Sequence, residues 1–265
     1  MLIDSHCHPL EAARAGSFAS YRAQAEAAGV AGLVAIGTDL DDWSLYRDLA
    51  AANPGYVRHT VGLHPNHVGD DWEDSVAALG TFFADRVEPA ALGEVGLDYF
   101  RLPADPAEAD AAKVRQQEAF RTQLALARQF GCPVVIHSRS AFHDCVAMVD
   151  RSGVDWRKVV FHCFTESLEC LRELRHRGGR ASFTGVLTYP KSTVTRASLA
   201  AHGLDDLMLE TDAPYLPPQS HRGRENHSAY LPETAAMAAE VLHAPLAEVE
   251  RVTTANARAF FGFAA

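Results

Sequence analysis

Eight short apolar, β-prone runs recur along the chain with helical patterns between them, and that alternation limits the fold more than any other feature. The runs are Leu2-Ile3, Leu33 to Ile36, Tyr56 to Val61, Ala90 to Leu92, Val134 to Ile136, Val159 to Phe161, Ala181 to Phe183 and Leu207 to Leu209. Strands that alternate with helices pair in parallel, because each crossover needs a helix to return the chain to the same sheet edge. The two clearest helical stretches are Ser17 to Ala28 and Ala107 to Phe130. In the second, Phe120, Leu124 and Ala127 share a face with Ala119 and Gln123 beside it, and Gly131-Cys132-Pro133 supplies a stop. Eight such units in 265 residues predict a single-domain α/β (β/α)₈ barrel spanning residues 1–265. A doubly wound open sheet is the alternative. It would need a Gly-rich turn after the first strand, and none is there.

Ligand-type side chains fall where these runs end. His6 and His8 follow the first, Glu94 the fourth, His137 the fifth, His162 the sixth and Asp212 the eighth. In a parallel barrel all those ends share one face, where barrel enzymes keep their sites. His6 and His8 are two apart, so on a strand both point the same way. A lone H-x-H, a lone His after a strand, or an Asp before Ala213-Pro214 has a bland structural explanation. Four imidazoles and two carboxylates meeting at one place do not. Left empty, adjacent buried carboxylates repel, and divalent cations remove that cost.

Six ligands suit two divalent metal cations. His6 and His8 would hold one and His137 and His162 the other. Glu94 would bridge them, and Asp212 would bind one ion and accept a proton from the attacking water. Glu94 and Asp212 are therefore the expected catalytic residues. Imidazoles favour Zn, Mn, Co or Fe, and carboxylates with a phosphate substrate admit Mg.

At these residues the chain resembles the TatD family of metal-dependent DNases, within the amidohydrolase-type barrels. The matching segments are Ile3 to His8, Val61 to Pro65, Gly93 to Tyr99, Val135 to Arg139, His162 to Thr165 and Leu209 to Leu216. The resemblance implies a (β/α)₈ barrel and hydrolysis of phosphodiester bonds. It also implies 3′-to-5′ exonuclease action on single-stranded or damaged ends of DNA or RNA. The six ligands match the family's metal positions. His64 matches a further His near the site, assigned to a substrate phosphate or an outer metal. The loop after Asp212 departs from the family pattern at Glu225, His227 and Ser228, and Glu166 replaces a usual Gly. Two of these changes add negative charge near a phosphate. They motivate an alternative substrate, an ester or amide such as an aminoacyl ester at a tRNA end. A non-catalytic metal-binding scaffold is the third reading.

Other candidate substrate-binding residues are Arg139 and Arg222, with Lys191 and Arg224, as phosphate clamps on loops. Tyr99, with Phe100, is a candidate for stacking a base. Asp98 is placed to orient a ligating His. A net charge of −10 argues against wrapping long nucleic acid, though not against an end held by metal ions. The five cysteines form no CxxC pair, so a reducing cytoplasmic setting without disulfides is expected. Cys7 and Cys163, each next to a ligand-type His, should turn their thiols away from the metals. No apolar stretch long enough to cross a membrane and no leader-like start is seen, and a monomer or weak oligomer is expected.

Overall fold

The computed structural model describes residues 1–263. Eight strands lie in one sheet in the order β1 to β8: β1 Leu2–Cys7, β2 Val30–Ala35, β3 Val57–Val61, β4 Ala91–Asp98, β5 Val134–Arg139, β6 Val159–Phe161, β7 Arg180–Phe183 and β8 Met208–Leu209. Every neighbouring pair in this order is parallel. The sheet curls into a nearly closed barrel with helices between the strands, which excludes the open doubly wound arrangement. All eight runs seen in the sequence are strands. Three run past the end that hydrophobicity indicated, among them β5, which continues through His137 to Arg139. β1 continues through His6 to Cys7, and β4 continues through Glu94 to Asp98, still paired with β5 at Gly96↔His137 and Asp98↔Arg139. Polar residues do not stop these strands because they face the barrel mouth rather than the helix layer.

The long helix Pro106–Phe130 has the expected register. Phe120, Leu124 and Ala127 are buried against the barrel. Each fully buried Phe or Leu side chain contributes about 1.5–3 kcal/mol. Asp105 caps its start by accepting from the Ala107 and Glu108 amides, and Gly131 ends it in a left-handed conformation. The first predicted helix spans Phe18–Ala27.

The seam between β8 and β1 is closed by residues just beyond the two-residue β8. The Asp212 amide donates to the His6 carbonyl at 2.9 Å and the His8 amide donates to the Ala213 carbonyl at 2.7 Å. Beneath them Asp4 is fully buried. It accepts from the Thr211 amide at 2.9 Å, from Thr211 Oγ1 at 2.6 Å and from Ser228 Oγ at 2.6 Å. Burial pushes its carboxyl up to about 6, against the pull of the Ser228 and Thr211 hydrogen bonds. Removing this acceptor leaves the buried Thr211 amide without a partner and takes one of two partners from each of the Thr211 and Ser228 hydroxyls. Asp4→Ala is expected to cost on the order of 3 kcal/mol, read as a lower urea midpoint. An unchanged midpoint would show that the seam does not depend on Asp4.

Among the described residues no helix is long and apolar enough to cross a membrane. All five cysteines are free, as expected. The Cys7 thiol lies 3.5 Å from the Val34 carbonyl, and the Cys163 thiol lies 3.7 Å from Thr184 Oγ1.

Candidate metal centre

Alternation along each strand decides which side chains reach the mouth. Asp4, His6 and His8 share one parity on the β1 segment, and Glu210 and Asp212 share one after β8. On β4, the backbone at Gly96 takes φ +141°, and a Cβ there would lie 2.0 Å from the His137 carbonyl. Only glycine lets β4 and β5 meet this closely beside His137. Two glutamines of the helix Pro106–Phe130 fix the neighbouring strand ends. Gln123 brackets the Leu63 amide and carbonyl, at 2.8 and 3.1 Å, next to His64. Gln116 does the same for Asp98, at 3.0 and 3.3 Å.

All six expected ligands and His64 converge. Glu94 is at the centre, and its two oxygens face two different nests. Oε2 lies 3.3 Å from His6 Nε2 and 3.6 Å from His8 Nε2. Oε1 lies 2.7 Å from His162 Nε2, 2.8 Å from His137 Nδ1 and 3.4 Å from His64 Nε2. Asp212 Oδ1 lies 3.4 Å from His8 Nε2 and 3.6 Å from His6 Nε2. Three overlapping donor groups result: His6, His8 and Asp212; His6, Glu94 and His162; and His64, Glu94 and His137.

These residues fit divalent cations. Adjacent ligands on one ion, each bonded at about 2.0–2.2 Å, stand roughly 3–3.5 Å apart. His6 Nε2 and His8 Nε2 are 3.1 Å apart, with carboxylate oxygens at 3.3–3.6 Å from both. His8 Nδ1 lies 3.0 Å from the Ile36 carbonyl, so it carries the proton and leaves Nε2 bare in the neutral ring. On the other side, His137 Nε2 faces Asp98 Oδ2 at 3.3 Å, which frees Nδ1 toward Glu94. Asp98 thus orients His137. His6 Nδ1 and His162 Nδ1 are buried without a hydrogen-bond partner.

The charge balance points the same way. Burial acts to raise the Glu94 pKa, but the charge of His162 and the His137 hydrogen bond outweigh it and hold the carboxyl well below its usual range. Asp212 is likewise lowered, with burial overcome by the His8 hydrogen bond and the charges of His6 and His162. Burial works against a charge on His162 too, yet Glu94 and Glu210 lift its pKa well above normal. Burial lowers the His6 pKa, but His8, His137 and His162 are raised, and the protons they hold occupy the place a cation would take, so cation binding would expel them. His64 differs. Burial lowers its pKa to about 4, so it is neutral at pH 7. Its Nδ1 accepts the Asn66 amide at 3.1 Å, so Nε2 carries the hydrogen. That makes His64 a donor toward Glu94 or an incoming oxygen rather than a bare ligand nitrogen.

The remaining candidates sit further out. Arg139 and Arg222 are exposed, and their guanidiniums lie over Phe100 and Tyr189, at 4.2 and 4.6 Å from the ring centres. Tyr99 is turned away: its hydroxyl donates to Asp144 at 2.9 Å and accepts from Gln117 at 2.7 Å. Its neighbour Phe100 holds the exposed place. Of the departures near Asp212, Ser228 is the residue that completes the Asp4 anchor, and His227 packs on Tyr21. Glu166 is partly buried, and Glu225 is exposed.

Two residues were given no role from sequence. Glu210 is buried, accepts from the Cys163 amide and from Ser182 Oγ, each at 2.6 Å, and lies 3.5 Å from His162 Nδ1. Asp4 supports the seam. In both cases the available signal was the period-two spacing, Asp4 to His6 and Glu210 to Asp212.

Comparison with known proteins gives one consistent result. A family model described as TatD related DNase matches residues 3–262. An uncharacterized metal-dependent hydrolase of Escherichia coli K12, YcfH, is 34% identical over 259 residues, covering 96% of this chain and 93% of that protein. A Yersinia pseudotuberculosis protein named as a 3′-5′ ssDNA/RNA exonuclease is 35% identical over 218 residues, covering 79% of each. The crystal structure of YjjV, a TatD homolog from Escherichia coli K12, superposes with a TM-score of 0.89 at 27% identity, covering 98% of both chains.

Proposed function

The chain belongs to the TatD-related DNase family of metal-dependent hydrolases, and from that premise we propose that it is a 3′-to-5′ exonuclease trimming the ends of single-stranded DNA or RNA with two divalent cations. The observation that carries this reading is Glu94, with one oxygen toward His6 and His8 and the other toward His137 and His162. His6 and His8 would hold one cation, His137 and His162 the other, with Glu94 between them and Asp212 on the first. Bound there, the cations supply Lewis acidity, drawing charge from a phosphoryl oxygen and easing proton loss from water.

The chain's own residues do the rest. Asp212 is ionised, and Oδ1 faces the His6 and His8 side, so it can take a proton from an attacking water there. Its amide bond to the His6 carbonyl fixes that position. His64 Nε2–H can donate to a phosphate oxygen. Arg139 and Arg222, at the rim, can hold the next phosphates along the strand.

Labelled single-stranded DNA incubated with the protein and Mg, Mn or Zn should release mononucleotides from the 3′ end, and chelator should stop it. No cation-stimulated release with any of the three would refute the nuclease. Cleavage of an aminoacyl ester or a small ester instead would move the same centre to the second substrate class, which the net charge of −10 favours.

A further inference from the structure

We propose that Phe100 and Tyr215 form a stacking clamp for unpaired bases at the barrel mouth, so that this site selects unpaired strand ends over paired ends and over small phosphodiesters. The inference deepens the nuclease reading and rests on it.

A single exposed apolar side chain is ordinary; what singles out two rings here is their place beside the donor cluster, where an aromatic face can stack a base. Among the described residues, the large apolar side chains left exposed include two aromatic rings, Phe100 at 66% and Tyr215 at 61%. Tyr215 is tied by its backbone to a candidate metal donor, and Phe100 to the carboxylate that orients one. The Tyr215 amide donates to the Asp212 carbonyl at 2.9 Å, and its carbonyl accepts from Asn226 Nδ2 at 2.7 Å. Its ring centre lies 6.2 Å from that of His8. The Phe100 amide donates to Asp98 Oδ1 at 3.0 Å, while Asp98 Oδ2 faces His137. The backbones are fixed and both rings stay largely exposed, Phe100 with one face under Arg139, which suits a platform that loses little freedom on binding. Tyr99 is a contrast, with its hydroxyl bonded on both sides.

Phe100 has a cation on its ring, and another lies on the loop that follows Tyr215. Arg139, two residues past His137, covers one face of Phe100 at 4.2 Å. Arg222 stacks on Tyr189 at 4.6 Å on the β7–β8 side, where the Tyr215 loop also lies. An aromatic face next to a guanidinium meets a nucleotide's two parts, a base to stack and a phosphate to pair. Every base has such a face, so the clamp would tolerate any sequence. Bases inside a duplex are already stacked on their neighbours and would have to leave them first.

The test compares two short single strands with the cation-loaded protein. One carries normal bases. The other has tetrahydrofuran spacers at its last two 3′ positions. Stacking of the usual strength predicts that the wild type prefers the base-bearing strand by roughly tenfold to a hundredfold in kcat/KM, mostly through KM. The Phe100→Ala/Tyr215→Ala protein should lose most of that preference, and Phe100→Trp/Tyr215→Phe should keep it. The proposal is overturned if the wild type treats both strands alike, or if the alanine protein keeps the full preference. Binding to the same strands made with cleavage-resistant phosphorothioate linkages separates this from the nuclease reading. If neither strand is cut but base-dependent binding is present and is lost in the alanine protein, the clamp stands and the nuclease reading fails. Equal binding of both strands overturns the clamp.

Discussion

Glu94→Gln protein is expected to keep its barrel and to lose cation-stimulated hydrolysis by at least roughly a thousandfold, within the range that acid–base and electrostatic groups supply. The side chain is 2% exposed and sits among five imidazoles. An amide has nearly the same shape, so the packing around it survives. What it lacks is the second charged oxygen that faces the His137 and His162 nest. One amide edge is a donor and cannot share a cation. The stability change should stay under about 2 kcal/mol, because the apolar core lies elsewhere. Turnover measured against the denaturant midpoint of the same preparation checks both halves. A variant that hydrolyses within a few-fold of the wild type would show that the chemistry does not need Glu94, and one that fails to fold would show that Glu94 holds the structure together.

The second large effect is on heat stability. A cation that binds only the folded chain stabilises it by about 2.7 kcal/mol at a hundred times its dissociation constant. In a chain of this size each kcal/mol moves Tm by roughly 2–4 °C. Saturating Zn or Mn should therefore raise Tm by about 5–10 °C over chelated protein. Glu94→Gln should lose most of this shift. Asp212→Asn should keep part of it, since the other five donors remain, while hydrolysis still falls. Tm identical with and without chelator would mean that the donor cluster does not bind a cation tightly, whatever its geometry.

The sequence spoke clearly where one physical rule acted alone. Strand order and the barrel followed from alternating apolar runs, and the face of the site followed from ligand-type residues after them. Glu94 shows where that reading thins. It seemed to follow a strand, yet it lies in the middle of β4, because a polar inward residue looks like a strand end when only hydrophobicity is read. The orienting groups were harder still. The bonds from the Asn66 amide to His64, from His8 to the Ile36 carbonyl and from the Cys163 amide to Glu210 join positions on different strands or a loop backbone, and single-chain spacing carries little trace of them. Tyr99 and Phe100 make the same point on a smaller scale. Adjacent residues of similar chemistry received opposite environments, decided by Gln117 and Asp144 from two separate helices.

The stitching of β1 to the segment after β8 sets an order of events during synthesis. His6 and His8 are made more than two hundred positions before Asp212, Thr211 and Ser228, which brace that strand. A ribosome must read some two hundred further codons before the Asp212 carboxylate can meet the His6 and His8 imidazoles. Until then the growing polypeptide lacks a complete donor cluster.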